Sequence, residues 1–391
     1  MTRRRARLRR MDDVAGWLAH QLPAMDAALA ALVEVNSFTR NPEGGRRVGQ
    51  LLIELFRMPG LEVEVVESRR YAPHLLFRSA GKAGSAPVAL LGHLDTVFPP
   101  GVFEGYRVDG ARRLGPGVFD MKSGLVVMAW ALKAVAQAGG LARLPPLRVV
   151  VVSDEEEGSP ESASLTRRVI AGSQACLVFE PGRPNDAIVT QRSGTGAVRA
   201  LATGKAAHAG NAYWDGANAI WALARFVDRA QRLALKDTGV TVNVGTISGG
   251  TSRNTVPASA EAMLDVRAQT AVTFDAVLTG LEDAARELGV PGAHVSLERV
   301  AMREPMERTP ESVALCASYA ACARRHGLGG DEAPRQGGGS DGNTAAAIGI
   351  PTIDGLGPRG GGYHTSEEWL EVDTLVPRAA ALAEWLLERA A

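Results

Sequence analysis

Three of the chain's seven histidines, His93, His208 and His364, stand in glycine-flanked polar loops, unlike ordinary helix-surface or core positions. His93 belongs to Gly92-His-Leu-Asp-Thr-Val-Phe-Pro99, two residues before Asp95. In extended backbone, residues i and i+2 point to one side. The Asp95 carboxylate can therefore hold the imidazole and fix its tautomer, leaving the other nitrogen for a metal. A hydrogen-bonded structural pair explains an isolated His-x-Asp about equally well. Three further carboxylate positions change that balance. Asp120 closes Gly115-Pro-Gly-Val-Phe-Asp120 just before a helical pattern, Glu155 and Glu156 follow the apolar run 147–152, and Glu180 follows 175–179. Acids brought to one place repel one another, and a pair of divalent cations relieves the repulsion. Imidazole with mixed carboxylates is a donor set suited to zinc, with cobalt or manganese as alternatives.

Those groups need a frame that brings them together. Residues 88–92, 147–152 (broken only by Arg148) and 175–179 are apolar runs rich in β-branched residues, the pattern of parallel strands buried on both faces. Helical patterns at 25–35, 46–56 and 121–137 alternate with them, the last stopped by Gly139-Gly140. Three strands of one sheet would then present histidine or carboxylate at their carboxyl ends, where open α/β sheets bind ligands. The middle of the chain reads differently. A strand at 196–203, a helix at 218–235, strands at 241–247 and 260–268, a helix at 274–288 and a strand at 294–300 run β-α-β-β-α-β. That is the ferredoxin-like order, a unit that can be inserted whole into another domain. The expected architecture is α/β: a discontinuous catalytic domain, 1–192 with 305–391, interrupted by a smaller α+β domain at 193–304.

Composition narrows the function further. Lys plus Arg and Asp plus Glu number 43 each, so the basic excess that a nucleic-acid or acidic-membrane partner requires is absent. No run approaches the ~20 apolar residues of a membrane span. The basic stretch 1–10 is followed by no apolar run, and so reads as a disordered extension of a cytoplasmic protein, not a secretory signal. Cys176, Cys316 and Cys322 are odd in number and form no CxxC pair, as expected of reduced, structural thiols. Some matches mislead. Gly355-Leu-Gly-Pro-Arg-Gly360 satisfies GxGxxG but contains proline and leads to a histidine loop, not a helix. Ser193, Ser340 and Cys176 have no adjacent base to make them nucleophiles.

His93-Leu-Asp95, Gly117-Val-Phe-Asp120-Met-Lys-Ser-Gly, Asp154-Glu-Glu-Glu-Gly158, Phe179-Glu-Pro181, Gly204-Lys-Ala-Ala-His208-Ala-Gly and Gly362-Tyr-His364-Thr form one ordered set. In order and spacing it resembles the motifs of the zinc-dependent aminoacylase/carboxypeptidase family, which includes glutamate carboxypeptidase, acetylornithine deacetylase and succinyl-diaminopimelate desuccinylase. The stretch from Gly337-Gly-Gly-Ser-Asp341 to His364 is most similar to glutamate carboxypeptidase. The resemblance implies a zinc-exopeptidase-type domain with a mixed, largely parallel sheet, and an inserted ferredoxin-like lid through which the chain dimerises. It places His93 and Glu180 on one zinc and Glu156 and His364 on the other, with Asp120 bridging through a cis Asp120–Met121 peptide. Glu155 would be the general base, and His208 would reach the partner subunit's site to donate to the oxyanion. Asn254, Arg267 and Arg303 fit the family's carboxylate-binding positions, and an arginine fork suits a carboxylate. Glutamate-specific relatives carry a lysine soon after the Glu-Pro. Asn185-Asp-Ala-Ile188 has none, so glutamate preference is not carried over.

The expected reaction is hydrolysis of an amide bond beside a free α-carboxylate, on a peptide or N-acyl amino acid. Two ions roughly 3.5–4 Å apart would polarise the carbonyl and acidify a water, with Glu155 taking its proton. An aminopeptidase acting on di- or tripeptides is the rival; it needs an anionic pocket for an α-amine, whereas Arg267 and Asn254 favour a carboxylate. A catalytically dead binding protein on this fold would lack Glu155 or a ligand, and all are present.

Overall fold

The computed structural model describes residues 14–390, and the basic stretch 1–10 lies outside them. One unit runs to Gln191 and resumes over Arg308–Arg335 and from Ser340 onward; the other comprises Arg192–Glu307 and Gln336–Gly339.

Among the described residues the first unit has a six-stranded sheet. Its strands are β1 (Glu62–Val66), β2 (His74–Arg78), β3 (Val88–His93), β4 (Leu147–Val152), β5 (Ala175–Val178) and the edge strand Thr352–Ile353. In space they run β1, β2, β4, β3, β5 and edge. β3 is parallel to β4 and β5, the edge strand is parallel to β5, and β1 and β2 are antiparallel to their neighbours. Successive residues of the parallel strands enter different cores. Leu90, Val149, Val151 and Leu177 pack with helices Leu22–Val33, Lys122–Gln137 and Leu375–Leu387. Ala89, Leu91, Val150, Val152, Cys176 and Val178 pack with Leu165, Ile170 and Ala345 on the other face. Burial of both faces is why these runs are largely apolar and do not alternate.

The helix expected at 46–56 starts earlier, as Pro42–Leu55. Pro42 takes the first turn, and the Asn41 side chain accepts the Gly44 N–H at 3.2 Å. Gly44 and Gly45 hide that start in the sequence, yet the packing requires them. A Cβ on Gly44 would lie 1.9 Å from the Asn36 carbonyl oxygen, and one on Gly45 would lie 2.5 Å from Ala72 Cβ. A second sheet, of the short strands Arg107–Asp109, Arg112–Leu114, Gly360–Gly361 and Trp369–Glu371, had no periodicity from which to be expected. It pairs Leu114 with Trp369, so the segment leading to Asp120 begins beside the end of the segment that contains His364.

The second unit follows β6 (Gly194–Thr203), helix Ala219–Gln231, β7 (Thr241–Gly249), β8 (Ser259–Ala268), helix Ala271–Ala285 and β9 (His294–Arg303). Its sheet is antiparallel in the order β7, β8, β6, β9, with both helices packed into one core against it. Gln336–Gly339 joins this unit, where Arg192 Nη1 donates to Gly338 O at 3.0 Å. All three cysteines are buried free thiols, and among the described residues no helix is long and apolar enough to cross a membrane.

Candidate active site

β3, β4 and β5 are parallel neighbours, so their carboxyl ends share one edge. β3 ends in His93, β4 leads into Ser153 and the turn Glu155–Glu157, and β5 leads into Phe179 and Glu180. His93 Nε2 lies 3.2 Å from Asp120 Oδ1, 3.7 Å from Glu180 Oε1 and 4.0 Å from Glu155 Oε2. Asp120 Oδ2 lies 3.5 Å from His364 Nε2, which is 3.1 Å from Glu156 Oε2. Two groups result, His93–Asp120–Glu180 and Asp120–Glu156–His364, each with one donor atom per residue and all donors within 4.8 Å of one another. Asp120 belongs to both, and the Asp120–Met121 peptide is cis.

Asp95 serves His93 differently from the simple sequence picture. The His93 Nδ1 is nearer to the Asp95 carbonyl oxygen, at 3.0 Å, than to its carboxylate, at 3.4 Å. The carboxylate accepts from Thr39 Oγ1 at 2.8 Å and from the N–H groups of Glu155 and Glu156 at 3.3 and 3.2 Å. Asp95 therefore fixes the glutamate turn as well as the imidazole.

The electrostatics are those of crowded acids. Burial pushes the Glu156 carboxyl up to about 8, and the Asp120 charge adds to the effect. Burial, then Asp120, raises Glu180 well above the carboxylate range. Burial would raise Asp120 too, but hydrogen bonds with His364 and His93 hold it below that range. Asp120, then Glu156, lifts His364 to about 11. A cluster that must draw protons onto imidazoles and glutamates is one that divalent cations would neutralise.

Four supporting residues escaped the sequence reading. Asp154 accepts the N–H groups of Glu161 and Ser162 at 2.9 and 3.0 Å, tying the turn to the next helix. Glu157 accepts from Tyr71 Oη at 2.9 Å and pairs with Arg40. The run Asp154-Glu-Glu-Glu157 is visible in sequence, but not which acids point inward. Lys122 Nζ donates to the carbonyls of Leu32 and Val35 at 3.0 and 3.1 Å. Glu368 accepts three backbone N–H groups of the Asp120 loop; no local pattern marks it.

The remaining expected residues lie in the second unit, in two separate places. His208 is exposed, and its Nδ1 accepts the N–H groups of Gly210 and Asn211 at 3.1 Å each. In the neutral ring the proton is then on Nε2. His208 pairs with Thr255 in a two-stranded ribbon, and Ala209 N donates to Asn254 O at 2.9 Å. Arg267 and Arg303 both stand opposite Thr195 of β6 and so share one face of the sheet. Arg267 Nε and Nη2 donate to Asp265 at 2.8 and 3.0 Å, and Nη1 donates to Gly337 O at 2.6 Å. Thr195 and Thr203 are eight steps apart along β6, about 26 Å of strand, and the chain to His208 leaves from Thr203. Asn254 is thus grouped with His208 and not with the two arginines.

The model of Peptidase family M20/M25/M40 matches residues 89–388. The chain is 30% identical over 373 residues to carboxypeptidase G2 of Pseudomonas sp. (strain RS-16), covering 93% of this chain and 89% of that one. Among solved structures, aminopeptidase PepT from Bacillus cereus ATCC 10987 aligns with a TM-score of 0.76 at 22% identity, covering 95% of this chain and 99% of that one. A Bacillus subtilis protein described as a dinuclear metal binding peptidase from the M20 family aligns with a TM-score of 0.65 at 16% identity, covering 95% and 98%. These two structural likenesses are of fold.

Proposed function

We propose, from the premise that this chain belongs to peptidase family M20/M25/M40, that it is a dinuclear zinc hydrolase cleaving the amide bond beside a free α-carboxylate, as a carboxypeptidase or N-acyl amino acid deacylase. The observation that carries this reading is Asp120, whose Oδ1 lies 3.2 Å from His93 Nε2 and whose Oδ2 lies 3.5 Å from His364 Nε2, so that it belongs to both groups of donors. The residues fit the ions. Glu180 Oε1 is buried without a hydrogen-bond partner, a costly state for a carboxylate oxygen, and a cation held with His93 and Asp120 would satisfy it. His93, Asp120 and Glu180 would hold one ion and Asp120, Glu156 and His364 the other; imidazole and carboxylate suit zinc, cobalt and manganese.

Bound there, the pair of ions would polarise the scissile carbonyl and acidify the attacking water. Glu155, beside the first group and outside both, takes that water's proton and passes it to the leaving nitrogen. Asp95 keeps the His93 ring turned so that Nε2 faces Asp120. His208 donates from Nε2–H to the carbonyl oxygen as charge develops on it. Arg267, oriented by Asp265 and Gly337, has further N–H groups for the substrate carboxylate, with Arg303 beside it on the same face. The length of β6 keeps His208 and Asn254 away from those arginines, which supports a homodimer in which His208 and Asn254 serve the partner's site.

The test is chelation and reconstitution of the protein, with hydrolysis assayed on N-acyl amino acids, dipeptides and carboxyl-blocked peptides. Activity should disappear with the metal, return with zinc or cobalt, and require the free α-carboxylate. Full activity in metal-free protein would overturn the metal reading, and preference for carboxyl-blocked peptides with a free amine would make it an aminopeptidase.

A further inference from the structure

The loop from Gly115 to Met121 must satisfy its backbone N–H groups without a helix or strand of its own. Glu368, only 1% exposed, does most of this. Its Oε1 accepts from Phe119 N at 2.8 Å and Asp120 N at 2.9 Å, and its Oε2 accepts from Gly117 N at 3.1 Å. Hydrogen bonds to a carboxylate are shorter and stronger than those to a neutral acceptor. Glu368 also lies four residues beyond His364, whose Nε2 is 3.5 Å from Asp120 Oδ2. The segment 362–368 therefore meets Asp120 twice, at the backbone through Glu368 and at the carboxylate through His364. Past Asp120 the chain is pinned again, by Lys122 Nζ on the Leu32 and Val35 carbonyls.

The two donor groups depend on this arrangement unequally. His93 ends the buried strand β3, and Glu180 follows the buried strand β5, so the sheet holds two members of the first group. His364 has no such support. Its side chain is half exposed and its φ is +61°, a conformation that surrounding contacts must impose on a residue other than glycine. We infer that Glu368 is a positioning residue that sets Asp120 and His364 relative to one another and so keeps the Asp120–Glu156–His364 group assembled. Glu368 touches neither substrate nor the reacting atoms; it acts through the Asp120 backbone. This inference rests on the two-cation reading above.

Glu368→Gln keeps an oxygen for Phe119 and Asp120 but turns an NH2 donor against the Gly117 N–H. Calorimetric titration of the metal-free protein with Co2+, alongside a circular-dichroism melt, reads out the effect without requiring turnover. Wild type should take up two equivalents. The folded variant should keep one at wild-type affinity and bind the other about 10–100-fold more weakly, the usual effect of losing a group that orients a ligand. Its kcat should recover toward wild type as cobalt is raised, with KM little changed. If Glu368→Gln does not fold, Glu368→Asp, which retains both acceptor oxygens one methylene shorter, carries the same titration and the same expectation. Unchanged affinity for both equivalents, equal weakening of both, or failure of both variants to fold would overturn the inference. A wild type that binds fewer than two equivalents would instead overturn the two-cation reading, a separate and distinguishable result.

Discussion

Glu155 and Glu156 are sequence neighbours with different surroundings. Glu156 Oε2 lies 3.1 Å from His364 Nε2 and forms part of a donor group, whereas Glu155 Oε2 approaches His93 Nε2 only to 4.0 Å and belongs to neither group. The 3-10 turn Glu155–Glu157 separates their directions, and Asp95 secures it by accepting both their N–H groups. The expectation follows at the scale of one atom. Glu155→Gln should retain both metal equivalents while kcat falls on the order of 10²–10⁴-fold, the usual worth of a general base. Glu156→Gln should lose one equivalent. Metal analysis beside steady-state kinetics decides the matter, and the opposite pattern would exchange the two assignments.

Among the elements, the turn after Glu180 is stabilised by an ion cluster around the buried Asp186. Asp186 accepts from Arg359 Nε at 2.8 Å, from Arg359 Nη2 at 2.5 Å, from Arg378 Nη2 at 3.0 Å and from Gly329 N at 3.0 Å. It thereby joins the Pro184–Asp186 turn, helix Leu375–Leu387 and the chain around Gly329 and Arg359. Arg378 is fully buried, so Asp186→Ala would strand its charge and should cost roughly 3–5 kcal/mol in denaturant melts. The pH dependence has a definite sign. Burial would raise the Asp186 carboxyl, but the Arg359 hydrogen bonds, the Gly329 N–H and the Arg378 charge hold it below the usual carboxylate range. A depressed folded-state value contributes stability above the unfolded value of about 3.9 and loses it as pH falls through the folded value. Wild type should therefore lose stability steeply below about pH 4, and Asp186→Ala should be less stable at neutral pH with a shallower acid limb. Identical acid slopes in the two proteins would remove Asp186 from this role.

At the scale of the whole molecule, the distance along β6 is decisive. One end carries Thr195 between Arg267 and Arg303, and the other leads to the His208 ribbon. If His208 acts in the partner's site, His208→Ala and Glu155→Gln damage different halves of each composite site. Mixed under conditions of subunit exchange, the two inactive proteins should recover activity, because one site of each mixed dimer then has both residues. Losing His208 alone should lower kcat roughly 10²–10³-fold, as for one oxyanion donor, with binding little altered. Absence of recovery despite demonstrated exchange, or a fully active monomer, would dismiss the trans arrangement.

How much of this the chain declares by itself depends on the range of the forces involved. Apolar, β-branched runs declare strands buried on both faces, and the β-α-β-β-α-β order of the second unit follows from periodicity, because burial repeats every two or 3.6 residues along the chain itself. The residues that converge on Asp120 could also be picked out along the chain, since chemistry restricts their types and each follows a strand or a glycine turn; that they hold metal is the proposal made above. What only the tertiary structure decided is which groups face one another. The Asn41 cap moved a helix start, the Asp95 carbonyl came nearer to His93 than its carboxylate did, and Asn254 was grouped with His208. Glu368 is the clearest case. It lies 248 residues from the Asp120 N–H it accepts, and the two-residue strand Gly360–Gly361 and the three-residue strand Trp369–Glu371 that flank its loop are too short to show a period. An irregular loop must find its hydrogen-bond acceptors wherever the fold brings them, and no local pattern records where that is.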